Sequence, residues 1–350
     1  MRVVDGATGD VLFSAPVVES IKRRHDPNPR GGTRGARGLA VHGDHLVMAN
    51  AERLFVLDRS WRLLAELSHP LVGSVHDVLA EDDGIWVAST AADLLVKLSW
   101  DGDLLEDWEW RRDPGLALKL GFQRVAPVDR ALDYRMPSAQ HTGLRNIVHL
   151  NSVGLGPDHL LVGLGRIRSV KHYRRGRAAG MVGSLAATVQ RDRAQRQTQP
   201  SRLTPTPASR MPGSASAIVS LDRSRTARLI RHDRGTDLPN HNTIWWRDRL
   251  VWCNSNETRL SVSHQGGDGL EVGINLPGAP GFLRGLAHVE DAMFLVGNQA
   301  PFAVYLVDVD AQAVRRRYDL HGERAESVYA LSILPDSFAT PTRTNWLADR

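Results

Sequence analysis

Cysteine is almost missing from this chain of 350 residues, which contains only Cys253. A single cysteine forms no intramolecular disulfide and excludes a zinc site built on several cysteines. No apolar run approaches the length that crosses a bilayer, and the N-terminus has no apolar segment typical of a signal peptide. We therefore expect a cytoplasmic protein that makes no contact with a membrane.

Motifs for nucleotide binding and for serine-dependent hydrolysis are also missing. The chain has no P-loop, no dinucleotide-binding fingerprint and no nucleophile elbow around a serine. A Gly-x-Gly pair, Gly163 and Gly165, follows an apolar run, but the residues after it do not have the pattern of a packed helix. These absences argue against P-loop enzymes, dinucleotide-binding dehydrogenases and α/β-hydrolases.

A repeated pattern of short strands is what the chain does contain. Each copy has a polar first residue, a short apolar strand, a turn rich in Asp or Gly, a second apolar strand and then small polar residues. The copies begin at Arg37, His76, Asn151, His241 and Arg284. Repeats of roughly 40 residues with about four strands are typical of propeller blades. The sequence therefore predicts an all-β fold, a six-bladed β-propeller formed by one domain over residues 1–340.

Several other segments extend this prediction. The N-terminal strands are expected to complete the last blade, together with an inner strand at residues 328–335. Residues 111–146 are expected to lie over the channel mouth, and residues 341–350 to form a flexible tail. Residues 166–216 are predicted to be a basic, low-complexity insertion in one blade, partly helical and partly disordered.

The basic insertion leaves two interpretations open. Asp192 is the only acid among many arginines in residues 166–210, so nucleic acid or another anionic polymer is a conceivable partner. The alternative is a solvated loop without a partner. Tyr173 is the only aromatic residue there, which argues against stacking on single strands.

The first residues of the repeats are the candidate functional residues. The first strand of each blade lines the channel, so these residues should converge at one mouth, and Tyr329 should join them. The predicted set comprises His76 and His241 as catalytic residues, with Arg37, His149, Asn151, Asn242 and Arg284 as ligand-binding residues. Neutral histidines can ligate a divalent metal, whereas two arginines favour an anionic group. The alternative is that these residues only hydrogen-bond the ends of neighbouring strands.

Three segments also resemble a known family. Residues 149–153 (HLNSV), 238–242 (LPNHN) and 280–287 (PGFLRGLA) resemble the signature segments of an uncharacterised bacterial family of conserved hypothetical proteins, a domain of unknown function. Members of that family also have a His-Asp pair like His76 and Asp77. The chain departs from the family where Asn240 stands before His241, since the family has proline there. The resemblance implies a propeller fold but no known reaction.

Two functions are compatible with the sequence. The first is binding of a small anionic molecule or carbohydrate at the channel mouth, with a metal-assisted lyase or hydrolase reaction there. In that hypothesis a histidine acts as base or metal ligand and the arginines hold the anionic group. The alternative is a non-catalytic scaffold that holds a partner with its top loops and basic insertion.

Overall fold

The computed structural model describes residues 1–15, 37–123, 125–136, 146–167, 215–233, 240–255, 257–264, 272–277, 281–299, 302–320 and 328–342. These residues form five four-stranded antiparallel sheets and one two-stranded sheet. In each four-stranded sheet, consecutive strands pair with one another, so every sheet is a meander. A meander needs only short turns, such as the two-residue turn formed by Arg247 and Asp248.

The strands follow the order of the chain from blade to blade. The N-terminal hairpin consists of β1 (Arg2–Val4) and β2 (Val11–Ser14). Blade 1 consists of β3 (Gly38–His42), β4 (His45–Ala49), β5 (Leu54–Asp58) and β6 (Leu63–Leu67). Blade 2 consists of β7 (Val75–Glu81), β8 (Gly84–Ser89), β9 (Leu94–Leu98) and β10 (Leu104–Trp108). Blade 3 consists of β11 (Leu150–Leu155), β12 (Leu160–Ile167), β13 (Ala215–Leu221) and β14 (Ala227–Asp233). Blade 4 consists of β15 (Asn240–Trp246), β16 (Arg249–Asn254), β17 (Arg259–Val262) and β18 (Val272–Asn275). Blade 5 consists of β19 (Leu283–Glu290), β20 (Met293–Asn298), β21 (Ala303–Asp308) and β22 (Ala313–Asp319).

The first strand of each blade lies next to the first strand of the following blade. Contacts join β3 to β7, β7 to β11, β11 to β15 and β15 to β19. The five first strands therefore stand side by side around one axis, as the inner strands of a propeller do. Every residue of the middle strands β8 and β9 is buried, whereas the outer strand β10 begins with two exposed leucines. The all-β propeller predicted from the repeats is confirmed.

The apolar cores lie between blades. One cluster joins blades 1 and 2, and a second joins blades 2 and 3 around Trp86 and Trp110. Trp252 packs with residues of blade 3, and Trp246 packs with residues of blade 5. Large side chains fill the wedge that opens between neighbouring sheets, which accounts for the tryptophans of β8, β15 and β16.

The predicted number of blades is wrong, because the described residues form five four-stranded blades and not six. The hairpin β1–β2 is a separate two-stranded sheet. It packs between blade 5 and blade 1, where Val4 lies in one cluster with Tyr318 and Phe13 lies in another with Leu46. Residues 328–335, predicted to be an inner strand, are not a strand. They pack on the inner strand of blade 5 instead, close to Gly285.

The described residues also give no support to a helical insertion. Arg166 and Ile167 belong to β12, while Ala215 and Ser216 belong to β13, so the strands extend into the predicted insertion from both ends. Residues 168–214 lie outside the described part of the chain, and with them most of the segment predicted to bind an anionic polymer. Ile167 pairs with Ala215 across the antiparallel ladder. The segment therefore leaves and rejoins the blade at neighbouring positions.

Replacing residues 168–214 by a two-residue Asn-Gly turn should leave the propeller folded, because Ile167 and Ala215 are already paired neighbours in the sheet. Loop length changes the closure entropy only slowly, so we expect the free energy of unfolding to change by about 1 kcal/mol or less. Urea unfolding followed by tryptophan fluorescence measures this. Loss of the cooperative transition would mean that the removed residues are part of a blade.

The segment after blade 2 contains the helical structure of the described residues. A 3-10 helix spans Trp110–Arg112, and the short helix α1 spans Pro114–Lys119. Asp113 caps α1 through its side chain, which accepts from the backbone N–H of Leu116. Later in this segment, the Tyr134 backbone N–H donates to Pro70 O on the loop between blades 1 and 2. Residues 137–145 of the predicted mouth cover lie outside the described residues. No helix of the described part is long and apolar enough to cross a membrane.

Candidate functional site at the channel mouth

Irregular pairing marks the start of four of the five inner strands. The register with the second strand of the blade shifts between Val75 and Val78, Leu150 and Ser152, His241 and Thr243, and Leu283 and Leu286. A bulge adds an unpaired residue and re-aims the side chains beside it. His76 and Arg284 lie inside these bulges, and His241 lies at the edge of one. The bulges therefore turn these side chains towards the axis.

Six side chains form a closed cycle of contacts at this end of the channel. We call this cycle the mouth ring, and its members are Tyr329, His76, His149, His241, Phe282 and Arg284. The centroid of the His149 ring lies 4.8 Å from that of His76 and 6.4 Å from that of His241. The Tyr329 centroid lies 5.7 Å from that of His76, and the Phe282 centroid lies 5.2 Å from that of His241.

Arginines close the mouth ring on one side. The Arg284 guanidinium lies 4.9 Å from the Phe282 centroid and 4.3 Å from the Tyr329 centroid. The Arg37 guanidinium lies 5.4 Å from the same Tyr329 centroid. Five of the seven predicted site residues, together with Tyr329, thus meet at one end of the channel. Phe282 was not predicted, although it stands two residues before Arg284 in one of the segments that resemble the family.

The two asparagines do not belong to the mouth ring. Asn151 is buried, and its Nδ2 donates to the backbone oxygen of Asn240 in the next blade at 2.7 Å. Asn242 accepts from the Gly285 backbone N–H at 2.8 Å. Both side chains therefore connect blades.

Turn length explains the error for Asn151. The turn between β11 and β12 has four residues, whereas the turn between β7 and β8 has two. In the sequence, counting residues back from the turn aligned Asn151 with His76. In the structure, the pairing of the first and second strands beyond the bulge aligns Asn151 with Asp77 and Asn242 instead. His149 stands one residue before the position that is equivalent to His76 in this alignment. Its side chain reaches the ring from a left-handed backbone, with φ 53°.

Hydrogen bonds fix the same tautomer in all three histidines. The Nδ1 of His76 lies 2.8 Å from the backbone oxygen of Ser74, and that of His149 lies 2.9 Å from Asn146 Oδ1. Carbonyl oxygens only accept, so both Nδ1 atoms carry the proton.

His241 reaches the same state through a hydroxyl. Its Nδ1 lies 2.6 Å from Ser255 Oγ, and that hydroxyl donates its own proton to Leu283 O at 2.8 Å. The His241 Nδ1 must therefore donate to Ser255. In their neutral forms all three rings thus present an unprotonated Nε2, and the buried Nε2 of His241 has no hydrogen-bond partner among the described residues.

Burial keeps two of these rings neutral. His76 and His241 are 8% and 3% exposed. Burial lowers the pKa of His76 well below its ordinary value, helped by the charges of His149, Arg37 and Arg284. Burial likewise lowers the pKa of His241, with Arg284 and His149 adding to the effect. At neutral pH these rings are hydrogen-bond acceptors beside two permanent positive charges.

Asp77 is the acidic group one residue beyond His76. Its Oδ2 accepts from the Val153 backbone N–H at 3.3 Å and lies 3.4 Å from Asn242 Nδ2. These contacts join Asp77 to blades 3 and 4. Burial raises the pKa of Asp77 to about 7, against the effect of these hydrogen bonds. Asp77 consequently offsets the arginine charges only in part at neutral pH.

Asp93 fixes the backbone on both sides of His149 through hydrogen bonds. It lies in the turn between β8 and β9 with no exposed surface, and accepts from the backbone N–H groups of Ile147, Val148 and Leu150. Arg111 pairs with the same carboxylate at 3.1 Å. Burial is the largest influence on Asp93 and raises its pKa, although Arg111 opposes this. Sequence reasoning missed Asp93, because nothing near it in the chain marks it as a partner of residues 147–150.

A metal site is not formed by these groups. Among the residues that the structure describes, no three His, Cys, Asp or Glu side chains stand together in a way that could hold a metal ion. Two arginines beside the histidines add positive charge, which opposes a cation. The residues present therefore do not fit the divalent metal that the histidines alone suggested.

Cys253 is a buried thiol in β16, and burial raises its pKa.

Several solved structures are similar to this chain. A luciferin-regenerating enzyme is similar with a TM-score of 0.50 and 10% identity, over 87% of this chain and 81% of that one. A catalytically inactive variant of virginiamycin B lyase from Staphylococcus aureus, with quinupristin, has a TM-score of 0.46 and 8% identity, over 83% of this chain and 71% of that one. The nidogen/laminin complex gives a TM-score of 0.48 and 10% identity, over 85% and 84% of the two chains. At these identities the likeness concerns the fold alone.

Sequence comparisons identify no relative. No protein-family model matches the chain, and no curated protein matches it either. The resemblance to an uncharacterised bacterial family stays a prediction from the sequence.

Proposed function

We propose that the mouth ring binds a small anionic molecule, with Arg37 and Arg284 holding the anionic group. The observation that carries the proposal is the charge of the site. Two guanidinium groups lie over one tyrosine ring, 5.4 and 4.3 Å from its centroid. Among the described residues, no carboxylate forms a salt bridge with Arg37. A carboxylate or phosphate could accept from such a pair of arginines through charge-assisted hydrogen bonds.

Burial strengthens this preference. The buried histidines His76 and His241 are neutral at pH 7, so they neither cancel nor add to the arginine charges. Asp77 is the nearby acid, and with a pKa of about 7 it carries only part of a negative charge. Partly buried charges are screened less by salt than exposed ones, so an anion entering the mouth gains more than it would at the surface.

Catalysis is the second part of the proposal. A neutral His76 or His241 can accept a proton through Nε2 from a molecule held by the arginines, which is the role of a general base. This chemistry is compatible with a lyase or a hydrolase and needs no metal. The reaction would depend on which catalytic side chain lies within reach of the bound anion, and the fold does not determine it.

The test is stabilisation of the full-length protein by small anions at constant ionic strength. We expect phosphate or acetate to raise the melting temperature of the wild type, since a ligand present at 100 times its Kd stabilises by about 2.7 kcal/mol. Arg284→Gln and Arg37→Gln should each weaken this binding by about tenfold or more, the effect of losing one charge-assisted hydrogen bond.

Arg315→Gln is the matched control, because Arg315 lies on β22, the outer strand of blade 5, where it is half exposed and pairs with Asp308 at the end of β21. Its response to the anions should equal that of the wild type. Equal stabilisation of all four proteins would mean that the anions bind elsewhere, and no stabilisation at all would contradict the proposal.

A further inference from the structure

We infer that the molecule bound at the mouth ring is a hydroxycarboxylate, a small acid whose carboxylate contacts the arginines while a neighbouring hydroxyl donates to a histidine Nε2. This inference rests on the proposed function and narrows it to one class of ligand. The class includes simple hydroxy acids and the carboxylate end of a sugar acid.

The hydrogen-bond chemistry of the ring carries the argument. The Nδ1 protons of His76, His149 and His241 are used by Ser74, Asn146 and Ser255 respectively. Each neutral ring can therefore only accept at Nε2. A plain carboxylate has no proton to donate, so it offers nothing to an Nε2 acceptor.

The buried state of His241 makes this requirement sharper. Its Nε2 has no partner among the described residues, and the side chain is 3% exposed. A buried acceptor without a partner costs about 1–3 kcal/mol, which a ligand donor would recover on binding. The neighbouring Phe282 ring, with its centroid 5.2 Å from that of His241, has no donor to supply. A ligand hydroxyl would supply this missing donor.

Charge selects hydroxyl over ammonium as the donor. An amino acid also combines a carboxylate with a donor, but its ammonium group would lie beside Arg37 and Arg284 and be repelled. A hydroxyl group donates without charge. The site therefore matches a neutral donor attached next to a negative group.

The separations within the ring limit the size of the head group. Neighbouring members of the mouth ring are between 4.3 and 6.4 Å apart. Groups this close to one another can contact the same small head group, which suits a carboxylate with one adjacent hydroxyl. The rest of a longer acid would extend outwards from the mouth.

The experiment compares three acids of equal size by calorimetry at pH 7.5 on the full-length protein. Lactate carries a hydroxyl, propionate lacks it, and alanine has an ammonium group in its place. We expect the wild type to bind lactate about tenfold more tightly than propionate, the value of one hydrogen bond, and to bind alanine more weakly than lactate. Equal affinity for lactate and propionate, or a preference for alanine, would overturn the inference while leaving anion binding intact.

Variants of His241 show whether this histidine is the source of the preference for lactate over propionate. His241→Phe removes the acceptor and should equalise the affinities for lactate and propionate. His241→Gln keeps an acceptor oxygen at that position and should retain part of the preference. His288→Gln is the control, because His288 is exposed near the opposite end of β19 from Arg284.

The outcomes separate the two proposals. A lactate preference that survives in His241→Phe and in the equivalent His76→Phe and His149→Phe variants would overturn the inference. Failure of all three acids to bind the wild type would overturn the proposed function together with it. Melting curves show which variants are folded, and His241→Gln provides the reading if a phenylalanine variant unfolds.

Discussion

Asp93→Ala should lower the free energy of unfolding by about 3–5 kcal/mol, the usual cost of removing one partner from a buried ion pair. The carboxylate and Arg111 are both buried, with 0% and 1% of their side chains exposed. The substitution also removes the acceptor for three backbone N–H groups, those of Ile147, Val148 and Leu150. Urea unfolding of the full-length protein measures the loss.

Asp158→Ala is the matched control, since Asp158 also pairs with an arginine, Arg228, at 2.8 Å. That pair is exposed, with 38% of the Asp158 side chain and 59% of the Arg228 side chain accessible, so its removal should cost less than about 1 kcal/mol. Similar losses in the two variants would show that Asp93 is not a structural anchor.

The effect of Asp93 should extend to the mouth. The three N–H groups that it holds flank His149, whose backbone is left-handed at φ 53°. Without the carboxylate, the chain can relax towards an ordinary conformation and withdraw the imidazole. In Asp93→Asn, which keeps one acceptor oxygen, we expect His149 to stay nearer its place and the lactate preference to fall less than in Asp93→Ala. We therefore assign Asp93 to positioning and not to contact with the ligand.

Asp77→Asn should make the protein more stable at pH 8, by up to about 4 kcal/mol, with the advantage shrinking towards pH 4. The folded pKa of Asp77 is about 7 against an ordinary value of 3.8. Between these values the folded state holds a proton that the unfolded state has lost, so wild-type stability falls as the pH rises through this window. Asparagine resembles the neutral acid and removes that loss. Urea unfolding at several pH values measures the difference.

The buried ring histidines act in the opposite direction. The folded pKa values of His76 and His241 lie below the ordinary 6.5, so the unfolded state binds more protons when the pH falls below 6.5. Their contribution to stability is present above that pH and is lost in acid. The difference between wild type and Asp77→Asn isolates the carboxyl, because both proteins contain the histidines.

Asp308→Asn is the control for Asp77. Hydrogen bonds from the Ala311 backbone and from Arg315 lower the pKa of Asp308, so its contribution is lost as the pH falls. The stability difference of this variant from wild type should therefore change with pH in the opposite sense. A difference between wild type and Asp77→Asn that does not vary between pH 4 and pH 8 would show that Asp77 is ionised throughout.

Much of the propeller could be predicted from the chain. Paired apolar strands around short polar turns recur at His76, His241 and Arg284. Such hairpins depend on residues that are close together in the chain, so their pattern is visible in the sequence. The same register brought the histidines to one mouth. It failed at blade 3, where the longer turn between β11 and β12 displaced the count and wrongly placed Asn151 in the ring.

Blade number depends on contacts that no local pattern records. Residues 328–334 have the apolar composition of a strand, yet they lie against Gly285 and Gly297 without strand pairing. The N-terminal hairpin fills the wedge between blades 1 and 5 through side chains such as Phe13 and Val4. An apolar segment becomes a strand only if the edge of a neighbouring sheet has free backbone groups to pair with it. The availability of such an edge depends on how the blades are arranged in the complete structure.

The sequence by itself determined the repeat, the absence of an intramolecular disulfide and of a zinc site built on several cysteines, and the histidines and arginines of the channel mouth. Composition and short-range periodicity are sufficient for these features, because they depend on residues close together in the chain. The tertiary structure alone decided the number of blades, the bulges that aim His76 and Arg284, and the pairing of Asp93 with residues 147–150. It also decided the tautomers and the pKa of Asp77, since burial and hydrogen bonding by distant residues set the charge of a side chain.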